Sequence, residues 1–205
     1  MCCINPREYT KNAIFGVPFM INEETMKIRL LFLLLLSGFA VSAHAQSLYT
    51  PGKITEGSLA SYYCYAETKL VWKIRNVENT DTTDIMYYKN GEVAKNYQPS
   101  GKALFSNDDL IELFCETLTS TELSLIKNKA AYFLQVNVVC DSHGNANEVG
   151  FGFRNDDPVL TRLLPDRFYD LEQKLKRLLK VNLSTEDIQI KNIKYFAIID
   201  YRQIN

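Results

Sequence analysis

The chain has 205 residues, of which 46% are hydrophobic, 12% aromatic and 23% charged, with a formal net charge of −1. That balance excludes a disordered tail and a strongly basic nucleic-acid binder. It contains only two histidines, which removes most histidine-based catalytic and metal constellations.

Residues 1–25 contain Cys2, Cys3, Arg7, Lys11, Glu23 and Glu24 and carry no sustained apolar period. They are expected to be a start-site extension without structure of its own, with Met26 the true initiator. Residues 26–45, MKIRLLFLLLLSGFAVSAHA, have the form of an export signal. Lys27 and Arg29 supply the positive start, Leu30 to Leu36 the apolar run, and Ala43-His44-Ala45 the small-x-small cleavage pattern. The run is shorter than the roughly 20 apolar residues that span a bilayer. Cleavage is expected between Ala45 and Gln46. The mature protein, periplasmic or secreted, then has no integral membrane segment. No cysteine follows the apolar run, so no lipoprotein site is present.

The mature region, 46–205, retains 19 basic and 21 acidic residues. It therefore has no general attraction to nucleic acid or anionic lipid. Cys64, Cys115 and Cys140 remain. Export permits a disulfide, but an odd number leaves at least one thiol over, and the pairing stays open. Cys115 in a helical pattern and Cys140 on a strand's apolar face read first as buried structural thiols.

Residues 46–105 are expected to form a β-rich N-terminal segment. Within it, 46–66 carry little period, and Pro51, Gly52 and Gly57 mark a leader or loop. Residues 69–77, KLVWKIRNV, alternate as a strand with Leu70, Trp72 and Ile74 on one face. Residues 79–84 form a polar turn. Ile85 to Tyr88 start a second strand before the tight-turn pair Asn90-Gly91. Residues 96–105, with Pro99 and Gly101, read as a loop.

Residues 106–205 are expected to form an α+β module. Ser106 and Asp109 make a capping box opening a helix, and Leu110, Leu113, Phe114 and Leu118 form its stripe. A second short helical turn begins at Ser120 and runs through Leu123 and Ile126. In 131–140, AYFLQVNVVC, Tyr132, Leu134, Val136, Val138 and Cys140 share one face. Gly144 serves the tip, and Val149, Phe151 and Phe153 give the partner strand its apolar face, so this is a β-hairpin. Pro165 and Asp166 open an amphipathic helix, with Phe168, Leu171, Leu175, Leu178 and Leu179 on one stripe. Ile193 to Tyr201, IKYFAIIDY, is a strand apolar on both faces, covered on both sides or left as an exposed edge. The fold class is α+β, an antiparallel sheet with helices packed on one face.

The ββαβ order of residues 130–204 resembles the C-terminal domain of TonB-like proteins. Val139-Cys140-Asp141, the turn Ser142-His143-Gly144-Asn145, the strand start Glu148-Val149-Gly150-Phe151, the Phe168 helix and the closing strand carry the likeness. The whole mature chain is also similar to small exported proteins common in Bacteroidetes. The resemblance implies binding of a short peptide by strand addition beside the last strand, here Lys194–Arg202. It does not extend to energy transduction, because a TonB keeps an uncleaved anchor and a long proline-rich spacer, whereas the mature chain has only Pro51, Pro99, Pro158 and Pro165. Asp81-Thr82-Thr83 resembles the Bacteroidetes O-glycosylation triplet, a pattern short enough to recur by chance.

Other chemistry is thinly supported. His143 lies three residues after Cys140, yet both belong to a hairpin end, where polar turn residues are ordinary. There is no G-x-S-x-G elbow and no phosphate-cradling glycine run. A zinc set of Cys64, Cys115, Cys140 and His143 fits no ligand spacing. Asn155-Asp156-Asp157 lacks a calcium-loop pattern. No metal or other cofactor is expected. The acidic pairs Asp108-Asp109, Asp156-Asp157 and Glu186-Asp187 would serve hydrolysis only across a cleft, and a cap and two loops account for them otherwise. Arg167, Lys174, Lys176, Arg177 and Lys180 read as a solvated helix face. Tyr49, Tyr62, Tyr63, Tyr65, Trp72, Tyr87, Tyr88 and Tyr97 suit either a sheet core with edge cover or a stacking and interface surface.

The expected function is therefore non-catalytic binding of an envelope protein or peptide at a strand edge. Tyr195, Ala197, Ile198, Ile199 and Tyr201 are the candidate edge residues. The alternative is a small hydrolase or carbohydrate-binding protein using acidic and aromatic residues.

Overall fold

The computed structural model describes residues 47–83 and 85–204. The expected start-site extension, the export signal and the Ala45-Gln46 junction lie outside the described residues.

Among the described residues, six strands form one antiparallel sheet in the order β1-β2-β3-β6-β5-β8. They are β1 (Ile54–Glu56), β2 (Ser61–Ala66), β3 (Val71–Asn76), β5 (Phe133–Cys140), β6 (Ala146–Arg154) and β8 (Ile193–Asp200). A two-residue pair, β4 (Lys102–Ala103) and β7 (Val181–Asn182), stands apart. The helices are α1 (Asn107–Thr117), α2 (Ser120–Ile126) and α3 (Pro165–Leu178). The α+β class, with an open antiparallel sheet and helices on one face, is what the patterning predicts.

Local chemistry sets the boundaries. The Ser106–Asp109 capping box starts α1, and a second box, Thr119 with Glu122, starts α2. Pro165 occupies the first turn of α3. Gly144 turns the β5–β6 hairpin at φ +78°. That sign of φ costs an ordinary side chain about 1–2 kcal/mol.

The helix-covered face of the sheet holds the core. Phe168 of α3 meets four aromatic rings, Tyr49, Tyr62, Phe151 and Phe153, at centroid distances of 5.7, 6.0, 5.0 and 5.9 Å. Leu110, Phe114, Leu171 and Leu175 are buried as their helical stripes require. Arg167 and Lys176, expected on a solvated face, instead engage Glu122 and Glu172.

Three local expectations are corrected. Residues 54–56 and 61–66 are strands, not a leader or loop. In β2, Tyr62 and Cys64 point inward and Tyr63 and Tyr65 outward; aromatic side chains on both faces conceal the period. Ile85–Tyr88 forms no ladder, only single bridges from Tyr87 to Val93 and from Tyr88 to Ile190. Leu70 precedes β3 and is exposed, leaving Trp72 and Ile74 to the core side.

Candidate functional site: the open sheet face and the β8 edge

Strand register assigns the second face. The row Ile198, Gln135, Gly152, Lys73, Tyr65 runs across five strands, and the next row is Phe196, Asn137, Gly150, Arg75, Tyr63. Gly150 and Gly152 keep the centre low; a Cβ at Gly150 would come 3.2 Å from the Ile74 carbonyl. The result is a shallow cleft of about 190 Å³ over Gly150, between Tyr65 and Arg75 on one side and Lys194 and Phe196 on the other.

Segment 79–83 forms one wall of this cleft and is held by specific bonds. The Thr80 N–H and hydroxyl donate to Glu148 Oε1 at 2.8 and 2.7 Å. The Asp81 N–H donates to Glu148 Oε2 at 3.1 Å. Asp81 in turn receives Lys194 Nζ at 2.8 Å and Asn192 Nδ2 at 3.0 Å. Tyr63 and Tyr65 stack on each other at 6.3 Å, and the Arg75 guanidinium lies 5.4 and 5.7 Å from their centroids. Arg75 also donates to the Thr82 carbonyl at 2.9 Å. The two rings and the cation thus form one cluster beside the cleft.

Strand β8 ends the sheet, with β5 its ladder partner. The Tyr201 N–H continues that ladder to the Tyr132 carbonyl at 3.5 Å. Antiparallel ladders alternate between bonded and non-bonded pairs. The odd-numbered residues of β8 therefore pair with β5, and the N–H and C=O groups of Lys194, Phe196, Ile198 and Asp200 point away from the sheet. The side chains of the same four residues share the open face.

The sequence-derived edge residues are distributed unevenly. Ile198 is 47% exposed on the open face. Ile199 and Tyr201 are buried, and the Tyr201 hydroxyl donates to Asp157 Oδ2 at 3.0 Å. Ala197 is half-buried. Tyr195 is half-buried too, with its hydroxyl 3.4 Å from Asp187 Oδ2 and its pKa pushed up to about 12, first by burial and then by the Asp187 charge. Phe196, 69% exposed, is the residue sequence reasoning passed over. With Ile199 inside, period-two alternation would have placed it outside.

The remaining candidates resolve into local structure. Asp141 Oδ1 accepts the backbone N–H of His143 at 2.8 Å and of Asn145 at 2.9 Å, which is a turn device. Cys140 is buried and its thiol is pushed up to about 12 by that burial and the Asp141 charge, which makes it a poor nucleophile. Asp109 caps α1, and Asp156 takes two 2.8 Å bonds from Arg154. Asp157 accepts the N–H groups of Val159 and Leu160, and Asp187 the Tyr97 hydroxyl at 2.7 Å. Cys64, Cys115 and Cys140 are free thiols. Among the described residues, no three His, Cys, Asp or Glu gather as a metal site, and no helix is long and apolar enough to cross a membrane.

No protein family matches the chain, and no curated protein does. A solved structure does: a DUF5043 family protein from Bacteroides uniformis ATCC 8492. The two are 18% identical with a TM-score of 0.62, over 77% of this chain and 90% of that one. The fold is shared.

Proposed function

We propose that this chain is an exported, non-catalytic interaction protein that takes up an extended partner segment alongside β8. Main-chain bonds to the outward groups of Lys194, Phe196, Ile198 and Asp200 supply affinity, and alternate side chains supply selectivity. The observation that carries the reading is an eight-residue terminal strand whose apolar side chains Phe196 and Ile198 stand exposed beside an edge that is unpaired among the described residues. The order β6-β5-β8 with α3 packed against β6 supports a TonB-like module for residues 130–204, and the apolar run within residues 26–45 supports export. The hydrolase alternative is weaker: Asp109, Asp156, Asp157 and Asp187 are each held by local partners.

Ile198→Pro tests the reading selectively. Its N–H faces outward, so proline there removes an edge donor while sparing the β5 ladder, a position edge strands tolerate. The protein purified after export, tagged and used for affinity capture from envelope extracts, should lose β8-dependent partners in the variant. Unchanged capture by a folded variant would overturn the proposal.

A further inference from the structure

We infer that the segment taken up at β8 is β8 of a second copy of this chain, paired antiparallel about a two-fold axis at Ala197. The inference rests on the strand-addition reading and names its partner. Only residues 194, 196, 198 and 200 offer outward main-chain groups, so any self-pairing must set even residues against even residues. With the axis at Ala197, Lys194 faces Asp200 of the other copy and Phe196 faces Ile198. Both are favourable cross-strand pairs, one of opposite charge and one of aromatic against β-branched.

Neighbouring registers do not fit. With the axis at Ile198, Lys194 meets Arg202, a like-charge pair, and Phe196 meets Asp200. With the axis at Phe196, Lys194 meets Ile198 and Asp200 meets Asn192. Existing partners reinforce the first register. Asp81 holds Lys194 at 2.8 Å, and Arg202 Nε holds Asp200 at 2.8 Å. The Ala197 axis then joins Asp81, Lys194, Asp200 and Arg202 into a row of alternating sign.

Sheet edges are normally blunted by brevity, proline, bulges or inward charges. The opposite edge, β1, is only three residues long. Strand β8 runs eight residues in unbroken register with β5, has no proline, and carries its charges at its ends. An edge that is long, regular and charge-complementary to itself is built for its own copy.

Single cysteines read the register directly. Residues facing their own copy across a non-bonded antiparallel pair bring Cα atoms to about 4.5 Å, within disulfide reach. In a Cys115→Ser background under mild oxidation, Ala197→Cys should give an intermolecular disulfide, while Phe196→Cys and Ile198→Cys should not. By sedimentation at micromolar concentrations, the exported protein should be a dimer. Phe196→Lys, which sets a charge against Ile198, should weaken it at least tenfold with the fold intact by circular dichroism. A monomer throughout that range, or cross-linking at position 196 or 198 instead of 197, overturns the inference. A monomer whose partner capture is abolished by Ile198→Pro would leave strand addition standing. A monomer with Pro-insensitive capture would remove both.

Discussion

The Tyr62 hydroxyl donates a 2.6 Å hydrogen bond to Glu172 Oε2, tying β2 to α3 across 110 residues of chain at a point where both side chains are fully buried. Asn76 Nδ2 adds a second donor at 3.2 Å. Lys176 Nζ sits 2.6 Å from Oε1 as an ion pair, without hydrogen-bond alignment. A buried carboxylate persists only where such partners replace water.

Tyr62→Phe removes the shortest of these bonds and leaves Oε2 with one donor. Burial, and then the Glu172 charge, push the Tyr62 hydroxyl far above its ordinary range, so it remains a donor at every working pH. The expected loss is about 1.5–3 kcal/mol, the range for bonds to charged groups. Urea unfolding should show a lower midpoint with an unchanged slope. A loss below about 0.5 kcal/mol would show that Asn76 and Lys176 suffice.

Gly144 and Gly91 share a positive φ but not a neighbourhood. At Gly144 (φ +78°) an added Cβ would fall 1.9 Å from the Val181 carbonyl, while at Gly91 (φ +91°) it meets nothing within 4 Å. Gly91→Ala therefore carries only the conformational cost, about 1 kcal/mol. Gly144→Ala must also break the docking of the hairpin tip on β7, whose Val181 N–H donates to the Gly144 carbonyl at 2.8 Å. It should cost several times more, at least about 3 kcal/mol. Equal midpoint shifts in the two variants would contradict this.

Those two relationships mark what local pattern does and does not reveal. The β5–β6 hairpin and α1 were readable because each carries its signal within about ten residues: strict alternation around Gly144, and the Ser106–Asp109 box. The Tyr62–Glu172 bond joins residues that each look ordinary alone. Strand β2 shows no period in the sequence because Tyr63 and Tyr65 make its outer face as aromatic as its inner one. The β8 edge was legible as a strand, but apolar residues on both faces hid its parity. Alternation alone does not separate Ile199 and Tyr201, which are buried, from Phe196 and Ile198, which are exposed; packing decides the face. Nothing in the sequence predicted that segment 79–83 would wall the cleft, since Glu148 and Lys194 reach it from distant strands.

The thiols should react in order of access. Burial pushes Cys64 up to about 11 and Cys140 up to about 12, and both are enclosed, whereas Cys115 is half-buried with a smaller upward shift, also from burial. Thiolate is the reacting form. Titration of the protein purified after export with a disulfide reagent near pH 8 should label Cys115 first, leaving Cys64 and Cys140 silent until denaturant is added. Cys115→Ser should abolish the fast phase, and its persistence would locate the accessible thiol elsewhere.

The Glu122–Arg167 pair should make stability depend on acid in a defined direction. Arg167 bonds Glu122 at 2.7 and 2.9 Å, and the Thr119 cap adds two donors. The Arg167 hydrogen bond is the leading cause that lowers this carboxyl from 4.5 to about 2. A depressed folded pKa means that the unfolded chain binds the proton first. The contribution is then complete above the unfolded value and vanishes as pH falls through the folded one. Both side chains are about a quarter exposed, 25% for Glu122 and 29% for Arg167. Solvent screening brings the contribution near neutral pH to about 1–3 kcal/mol. Asp157 works in the opposite sense: burial raises its pKa, so its contribution is greatest in acid and declines as pH rises. The comparison must therefore be made between wild type and Glu122→Gln, not on wild type alone. Their difference in unfolding free energy should be largest at neutral pH and close steadily between about pH 5 and pH 2. A difference that stays constant across that window would assign the variant's effect to lost capping geometry at Thr119 and not to the charge on Glu122.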